Sequence, residues 1–350
     1  PEPPRELTNL LIRARAALAR LDGAGRYMPA ASLLLRQLQQ REALRSSSLE
    51  GTFATAEELL VYELEPREPT STADPVNAWR EVFNYDRALQ QAQELLATLP
   101  ISNRLIRDLH ATLLAGVRGG DRTPGEFRAR QVHIGSDHRF ILPPAHLIPD
   151  LMADLERYIN DTNDPTDPLI RSFLAHYQFE TIHPFLDGNG RVGRLLLSLM
   201  IYSTCELRKP WLYLSAYFDR YKDDYINRLF NVSAKGDWIP WLQFCLQATI
   251  AQAADAMDRI DRLLELKNKY EELIRANDWP SRLQGITASL FGSLLVTVPK
   301  LVKQFGVTFP TAKGDVEKLI SIGVLVESRR KARPQHYLAP EIFSVAYSED

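Results

Sequence analysis

Two cysteines are all that 350 residues contain, and both, Cys205 and Cys245, sit inside apolar stretches. That scarcity excludes a disulfide scaffold and a cysteine-based metal centre, and leaves two buried thiols in a reducing compartment. Long hydrophobic runs are missing too. The longest, Leu195 to Tyr202, falls far short of the roughly 18 residues that a membrane span needs. The opening PEPPRELTNLL has no basic patch followed by an apolar core, so no export or membrane anchoring is encoded and a cytoplasmic location is expected. Nor is there an excess of one charge: 42 Lys+Arg stand against 44 Asp+Glu, a formal net charge of -2, where a dedicated nucleic-acid binder is usually basic. Strand patterns are scarce before residue 290, and no internal repeat or low-complexity tract is found.

What is present is helical periodicity. Leu7, Leu10, Leu11, Ala14, Leu18 and Leu21 recur at spacings of three and four, and residues 33–44 supply a second helix after the DGAG turn. Further helices are expected over 56–64, 79–96, 102–114 and 148–159, separated by breakers such as EPREP and DTNDPTDP. The fold class is mainly α, a helical bundle, with one small interruption. Val132, Ile134, Phe140 and Leu142 alternate around the turn-like GSDH and predict a short β-hairpin, placed as a flap over a site. A buried helix from Leu169 to Tyr177 is followed by TIHPFLDGNG and an almost wholly apolar helix from Val192 to about Cys205, and the aromatic-rich segments beyond close the bundle.

After Asp278 the pattern changes. VPKLVKQFG reads as a short amphipathic helix, VTFP as a turn, TAKGDVEKLISIG as a second helix, and VLVESRRKARPQHY alternates like a hairpin with a basic tip. That order is a winged helix-turn-helix. The chain divides accordingly into an N-terminal helical region (1–105), a core with its closing helices (106–277) and a C-terminal winged helix (278–350).

The chemistry lies in the turn between the two buried helices, where His183, Phe185, Asp187, Gly188, Asn189, Gly190, Arg191 and Arg194 fall close together. Gly188 and Gly190 let successive backbone N–H groups form a nest, and the following helix adds its unsatisfied N-terminal N–H groups toward the same anion. Arg191 and Arg194, three apart on one helix, can reach more distant phosphoryl oxygens. A lone carboxylate with substrate phosphates and water is a common way to hold Mg2+, which assigns Asp187 to the metal. His183 can take a proton from an attacking hydroxyl, and the Asn189 amide can donate to a phosphoryl oxygen in the transition state. Together these residues describe phosphoryl or nucleotidyl transfer.

HPFLDGNGRVGR resembles the signature of the Fic (Fido) family, H-x-F-x-D/E-G-N-G-R-x-x-R, at every fixed position. The resemblance implies an enzyme that transfers AMP from ATP, with Mg2+, to a Tyr, Ser or Thr hydroxyl of a protein and releases pyrophosphate. By that resemblance His183 is the base and Asp187 the metal ligand. Gly188, Asn189 and Gly190 grip the α and β phosphates, Arg191 supports them, Arg194 reaches the γ phosphate, and Phe185 anchors the loop. SSSLEG is similar to the family's inhibitory motif, S/T-x-x-x-E-G/N, through Ser46, Glu50 and Gly51. Glu50 pairing with Arg194 would then deny that charge to the γ phosphate. TPGEFRARQVHIG resembles the family's flap, in which Val132, His133 and Ile134 would hold a target peptide by main-chain pairing. The GNGR form sets the chain apart from the Doc-like phosphorylating branch. Removal of AMP at the same site is the alternative direction, and a DNA-binding regulator that only senses a nucleotide is the alternative class.

The partners implied are ATP and a protein substrate, which can be the chain itself; no membrane is involved. For the tail the choices are target docking, support of a homodimer, or DNA. Arg329, Arg330, Lys331 and Arg333 in the wing, with Thr311, Lys313 and Lys318, suit phosphate contacts, whereas Asp315 and Glu317 on the same helix would repel DNA.

Overall fold

The computed structural model describes residues 4–25, 31–117, 122–134, 140–328 and 333–348, with side chains in the second helix from Leu35 onward. Helix α1 (Arg5–Gly25) buries Leu7, Ala14, Ala17, Leu18 and Leu21 along one stripe and lies against α11 (Trp238–Ala276), the long spine of the bundle. Helix α2 (Ala31–Leu49) runs through the middle of the molecule, and α3 (Ala56–Leu64) follows a capping box in which Thr55 and Glu58 satisfy each other's backbone N–H. Then come α4 (Val76–Leu96), α5 (Asn103–Leu113), a 3-10 turn at Ala145–Leu147 and α6 (Ile148–Asn160). Helix α7 (Pro168–Ile182), with Pro at its first turn and Asp167 as its cap, packs on α8 (Asn189–Thr204), whose sides are nearly all buried. Two shorter helices, α9 (Ser215–Arg220) and α10 (Lys222–Lys235), complete the bundle. No helix among the described residues is long and apolar enough to cross a membrane.

The C-terminal segment is α12 (Ser281–Leu290), β1 (Leu295–Thr297), α13 (Val298–Phe305), α14 (Phe309–Ser321), β2 (Val326–Glu327), β3 (His336–Leu338) and α15 (Pro340–Tyr347). The strands form one antiparallel sheet in the order β1-β3-β2, with Leu338 opposite both Leu295 and Val326. This is the element order expected of a winged helix-turn-helix. It is fastened to α2 and α3: Gln37 donates to the Phe291 carbonyl, Tyr347 to Gln40 at 2.6 Å, Ser328 to Glu57 at 2.9 Å, and His336 Nε2 lies 3.1 Å from Glu65.

Two expectations need correction. Residues 131–134 and 140–144 carry no strand, and residues 135–139 lie outside the described set, so the sheet belongs to the C-terminal segment and the flanks of the flap are irregular. Gln131 still reaches across it, donating to the Leu142 carbonyl at 3.3 Å. Asp315 does not face outward on α14. It is buried and takes a two-bond grip from Arg282, at 2.7 and 3.0 Å, so this acid presents no charge to a groove. Arg329, Arg330 and Lys331 lie outside the described residues.

The α1 stripe is entirely apolar where it meets α11, so truncating its most buried leucine leaves a cavity that rigid neighbours cannot fill. Leu21→Ala is expected to lower unfolding free energy by about 3 kcal/mol, measured by urea denaturation.

Candidate active site

Helix α7 stops because His183 takes a left-handed conformation (φ 51°) while its N–H still bonds the Phe179 carbonyl at 2.9 Å. Helix α8 starts after Gly188, also left-handed (φ 75°), a position where glycine pays no Cβ penalty. The loop between them is braced from inside. The Asn189 side chain accepts from Phe185 N–H at 2.8 Å and donates to the Phe185 carbonyl at 2.9 Å. Phe185 is fully buried and stacks on the His110 ring, centroids 3.8 Å apart. Gly125 N–H donates to His110 Nδ1 at 2.8 Å, so Nε2 carries the proton and donates to the Asp187 carbonyl at 3.0 Å. Burial pushes His110 down to about 4, which keeps it in that neutral form at pH 7. The buried Arg128 completes the brace: its guanidinium donates to the carbonyls of His183 (2.8 Å) and Pro143 (2.7 Å), and its backbone N–H to that of Pro184 (2.8 Å).

On this base sits a cavity of about 180 Å³ whose lining includes His183, Gly190, Arg194, Glu50, Glu180 and Ile134. Burial pushes His183 down to about 4, against a weaker opposing pull from the Glu180 backbone, so its imidazole is uncharged at neutral pH. Its Nδ1 is buried without a partner among the described residues. Arg194 faces it with a 3% exposed side chain. The guanidinium donates to Ser46 Oγ at 2.9 Å, to the Ser46 carbonyl at 2.7 Å and to Glu50 Oε1 at 2.8 Å. Burial opposes ionisation of Glu50, but Arg194, with help from Arg191 and Lys222, holds its carboxyl below the usual range. The carboxylate rests on Gly190, where a Cβ would collide with Oε1; the first turn of α8 thus meets an acid where its N–H groups favour an anion. Gly51 (φ 79°) turns the chain away after α2, so that Thr52 donates to Glu81 at 2.7 Å.

The loop thus brings His183, Gly188, Gly190 and Arg194 together with Ser46 and Glu50, which lie 148 and 144 residues before Arg194. Other expected residues stand differently. The buried Asn189 amide bridges the backbone N–H and carbonyl of Phe185, so in this structure its side chain pins the loop. Arg191 turns from the cavity to Glu81, at 3.3 Å. Asp187 is half exposed and takes the Gly188 N–H at 2.6 Å on one oxygen. A carboxylate with solvent access at the mouth of an N–H nest fits a Mg2+ ion whose remaining positions go to phosphate and water. Ile134 lines the cavity, while Val132 is half-buried and His133 exposed, neither in a strand. Sequence reasoning missed His110, Arg128, Glu81 and Glu180. Burial raises the Glu180 carboxyl to about 7, against Arg194, and its Oε1 has no partner among the described residues. Only Arg128 and Glu180 lay near a motif, and nothing local marks what they bond.

Residues 8–94 match the Fic/DOC family N-terminal region, and residues 100–201 the Fic/DOC family, together more than half of the chain. A stretch of 128 residues is 33% identical to the protein adenylyltransferase Fic of Drosophila melanogaster, covering 36% of this chain and 25% of that protein. A stretch of 78 residues is 38% identical to the protein adenylyltransferase fic-1 of Caenorhabditis elegans, covering 22% and 15%. The matched region is thus a quarter or less of these relatives' length. Among solved structures, a Fic family protein from Desulfovibrio desulfuricans G20 superposes with a TM-score of 0.57 over 97% of both chains, at 19% identity. Fic-1 from Caenorhabditis elegans gives 0.58 over 71% of this chain and 72% of that one, at 21% identity. At such identities the likeness is one of fold.

An imidazole that is neutral through the physiological range must titrate well below an exposed histidine. In an NMR titration of the ring protons, the resonance absent from His183→Ala is expected to move with a midpoint near 4. A midpoint at the ordinary value of about 6.5 would mean that the imidazole is open to water.

Proposed function

Because this chain belongs to the Fic/DOC family, we propose that it is an autoinhibited protein adenylyltransferase, transferring AMP from ATP to a Tyr, Ser or Thr hydroxyl of a protein. One observation carries the reading: the Glu50 carboxylate sits on Arg194 and Gly190, in the seat the loop makes for an anion, within the same cavity as a neutral His183.

In the reaction, His183 takes the proton from the target hydroxyl, and the freed oxygen bonds to the α phosphorus. The bond from that phosphorus to the β-bridging oxygen breaks, and pyrophosphate leaves with the electron pair. The N–H groups at the start of α8 bind the phosphoryl oxygens, and Arg194 binds the far end of the polyphosphate. Asp187 would hold Mg2+, which when bound supplies neutralising charge to the phosphates. His110 and Arg128 hold the loop in place for this, through the carbonyls of Asp187 and His183.

Glu50 sets the resting level. While it holds Arg194, the γ phosphate lacks its cation and the α phosphorus cannot be presented in line. Glu50→Gly, given labelled ATP and Mg2+, is expected to modify itself or a protein in a lysate at least tenfold faster than the native chain, and the further change His183→Ala to abolish labelling. Mass spectrometry would read a gain of one AMP on a hydroxyl residue. If Glu50→Gly transfers nothing from ATP, the proposal fails.

A further inference from the structure

Glu180, which the proposed reaction does not use, shares the catalytic cavity with Glu50. It stands on the last turn of α7, three residues before His183. The two acids lie against α8 in the same way. Glu50 Oε1 occupies the place where Gly190 would carry a Cβ, and Glu180 Oε1 the place where Gly193 would. Residues three apart on a helix share a face, their Cβ positions about 5–6 Å apart. The two glycines therefore seat two carboxyl groups side by side, and Arg194, the next residue of α8, feels the charge of both.

Arg194 bonds Glu50, at 2.8 Å, whereas Glu180 Oε1 is buried with no partner among the described residues. The groups around Glu180 do not relieve this. On α7, His176 Nδ1 donates to the Gly193 carbonyl at 3.1 Å, which leaves Nε2 to accept from the Tyr225 hydroxyl of α10 at 2.9 Å, so that hydrogen is committed. Lys222 of α10 donates to the Leu49 carbonyl at 2.7 Å and pulls on Glu50. Burial keeps His176 and His183 uncharged, at about 3 and about 4. Two carboxyl groups at one site do not both ionise readily. Glu50 is the ionised one, and burial, against Arg194 and with Glu50 adding like charge, raises Glu180 to about 7.

We propose that Glu180 is the proton-carrying member of this pair, protonated while an anion sits on Arg194 and ionised when the seat empties, so that filling the seat with Glu50 or with the end of a polyphosphate takes up a proton from solvent. When Glu50 leaves, Glu180 loses a neighbouring negative charge and Arg194 loses a partner, so ionised Glu180 becomes the counter-ion. The filled state is the one with the raised carboxyl. Its extra stability is fully present below the carboxyl's value in the empty seat and is lost as pH rises through about 7. Glu180 thus selects what the seat holds and is a positioning residue, not a catalytic one. The polyphosphate half of the proposal rests on the reading of the loop as an ATP site.

The test is isothermal titration of the full chain with ATP between pH 5 and pH 8, each in two buffers of different ionisation enthalpy so that proton uptake is counted. It compares Glu50→Gly, whose seat is empty, with Glu50→Gly/Glu180→Gln, in which glutamine mimics the neutral acid. The titration of ATP's own phosphates is common to both. The two variants are expected to bind ATP alike at pH 5, and Glu50→Gly to bind it at least about tenfold more weakly than the double variant at pH 8, the effect of one pH unit of proton linkage. Glu50→Gly is also expected to take up more protons than the double variant, most of the excess between pH 6 and pH 7. If Glu180→Gln does not fold or ATP does not bind, carbon NMR of labelled glutamate side chains decides. One carboxyl of the native chain is expected to titrate near 7 and to move at least one unit lower in Glu50→Gly. Equal proton uptake and equal affinity in the two variants at every pH, or no carboxyl moved in this way, overturns the proposal. ATP that binds with the excess proton but transfers nothing overturns the adenylyl-transfer reading and leaves this one standing.

Discussion

The guanidinium of Arg194 is the charge around which the site is organised. Its side chain is 3% exposed, and a cation at that depth costs several kcal/mol unless it is paired and its remaining N–H groups are met. Three acceptors meet it, all from the last turn of α2 and the residue after it: Ser46 Oγ, the Ser46 carbonyl and Glu50. None of them is close in sequence. Docking α2 is thus a condition for burying Arg194, and burying Arg194 is what gives α8 a charged group reaching into the anion seat. A fold that placed the glycine loop correctly but left α2 undocked would leave that charge unpaired.

Helix α2 is unusual for a helix at the centre of a bundle, because much of what it buries is polar. Gln37, Gln39, Gln40, Glu42, Ser46 and Ser47 are all buried. Glu42 accepts from Tyr85 at 3.0 Å and from the Ser215 backbone N–H at 3.1 Å. Arg36 bridges Glu63 and Asp86, and burial raises the Asp86 carboxyl to about 6 in spite of that guanidinium. Apolar residues of the same volume would stabilise the helix as well or better, but they would tolerate rotation and sliding. Directional bonds fix its register, and register is what brings Glu50 to Arg194. The same helix is held at its other end by the C-terminal segment, through Gln37 and Gln40, so a shift of that segment would be felt along one rigid rod.

What was legible in the sequence was what is local. The glycine loop, its histidine and its arginines lie within 12 residues, and turn chemistry plus helix-end electrostatics predicted an anion seat from them alone. The helical bundle followed from periodicity. His110 and Arg128 could not be found this way, because their partners lie 77 and 55 residues away and each is a backbone carbonyl, which leaves no mark on residue type. The flap was misread for a related reason. Alternation at Val132, Ile134, Phe140 and Leu142 is a strand signal, but Arg128 and Gln131 supply side-chain bonds to Pro143 and Leu142 that stand in for a ladder. Asp315 was taken as a surface charge since nothing near it names Arg282, 33 residues earlier and on another helix. Asn189 was legible as part of the loop, but its bridge to Phe185 was not, because an amide that can donate to phosphate can equally bond the backbone beside it.

The clasp between Glu50 and Arg194 is asymmetric, and the asymmetry decides how an anion replaces it. The Glu50 side chain is 38% exposed while that of Arg194 is 3% exposed. The carboxylate can therefore swing toward water at little desolvation cost, whereas the guanidinium cannot follow. Ser46 keeps two N–H groups of Arg194 satisfied as Glu50 leaves, so the charge is never bare and the exchange needs no unfolding of α2. A charge-assisted bond of this kind is worth roughly 1.5–3 kcal/mol, which corresponds to about a ten- to hundredfold preference for the closed state. On the proposed reading, an incoming nucleotide would see its affinity reduced by that factor, because only the open fraction could receive its γ phosphate. A preference of that size is one that an anion at sufficient concentration can overcome. Its size is set less by the pair itself than by whatever holds the end of α2 in place, including the bond of 2.7 Å from Lys222 to the Leu49 carbonyl just beside it.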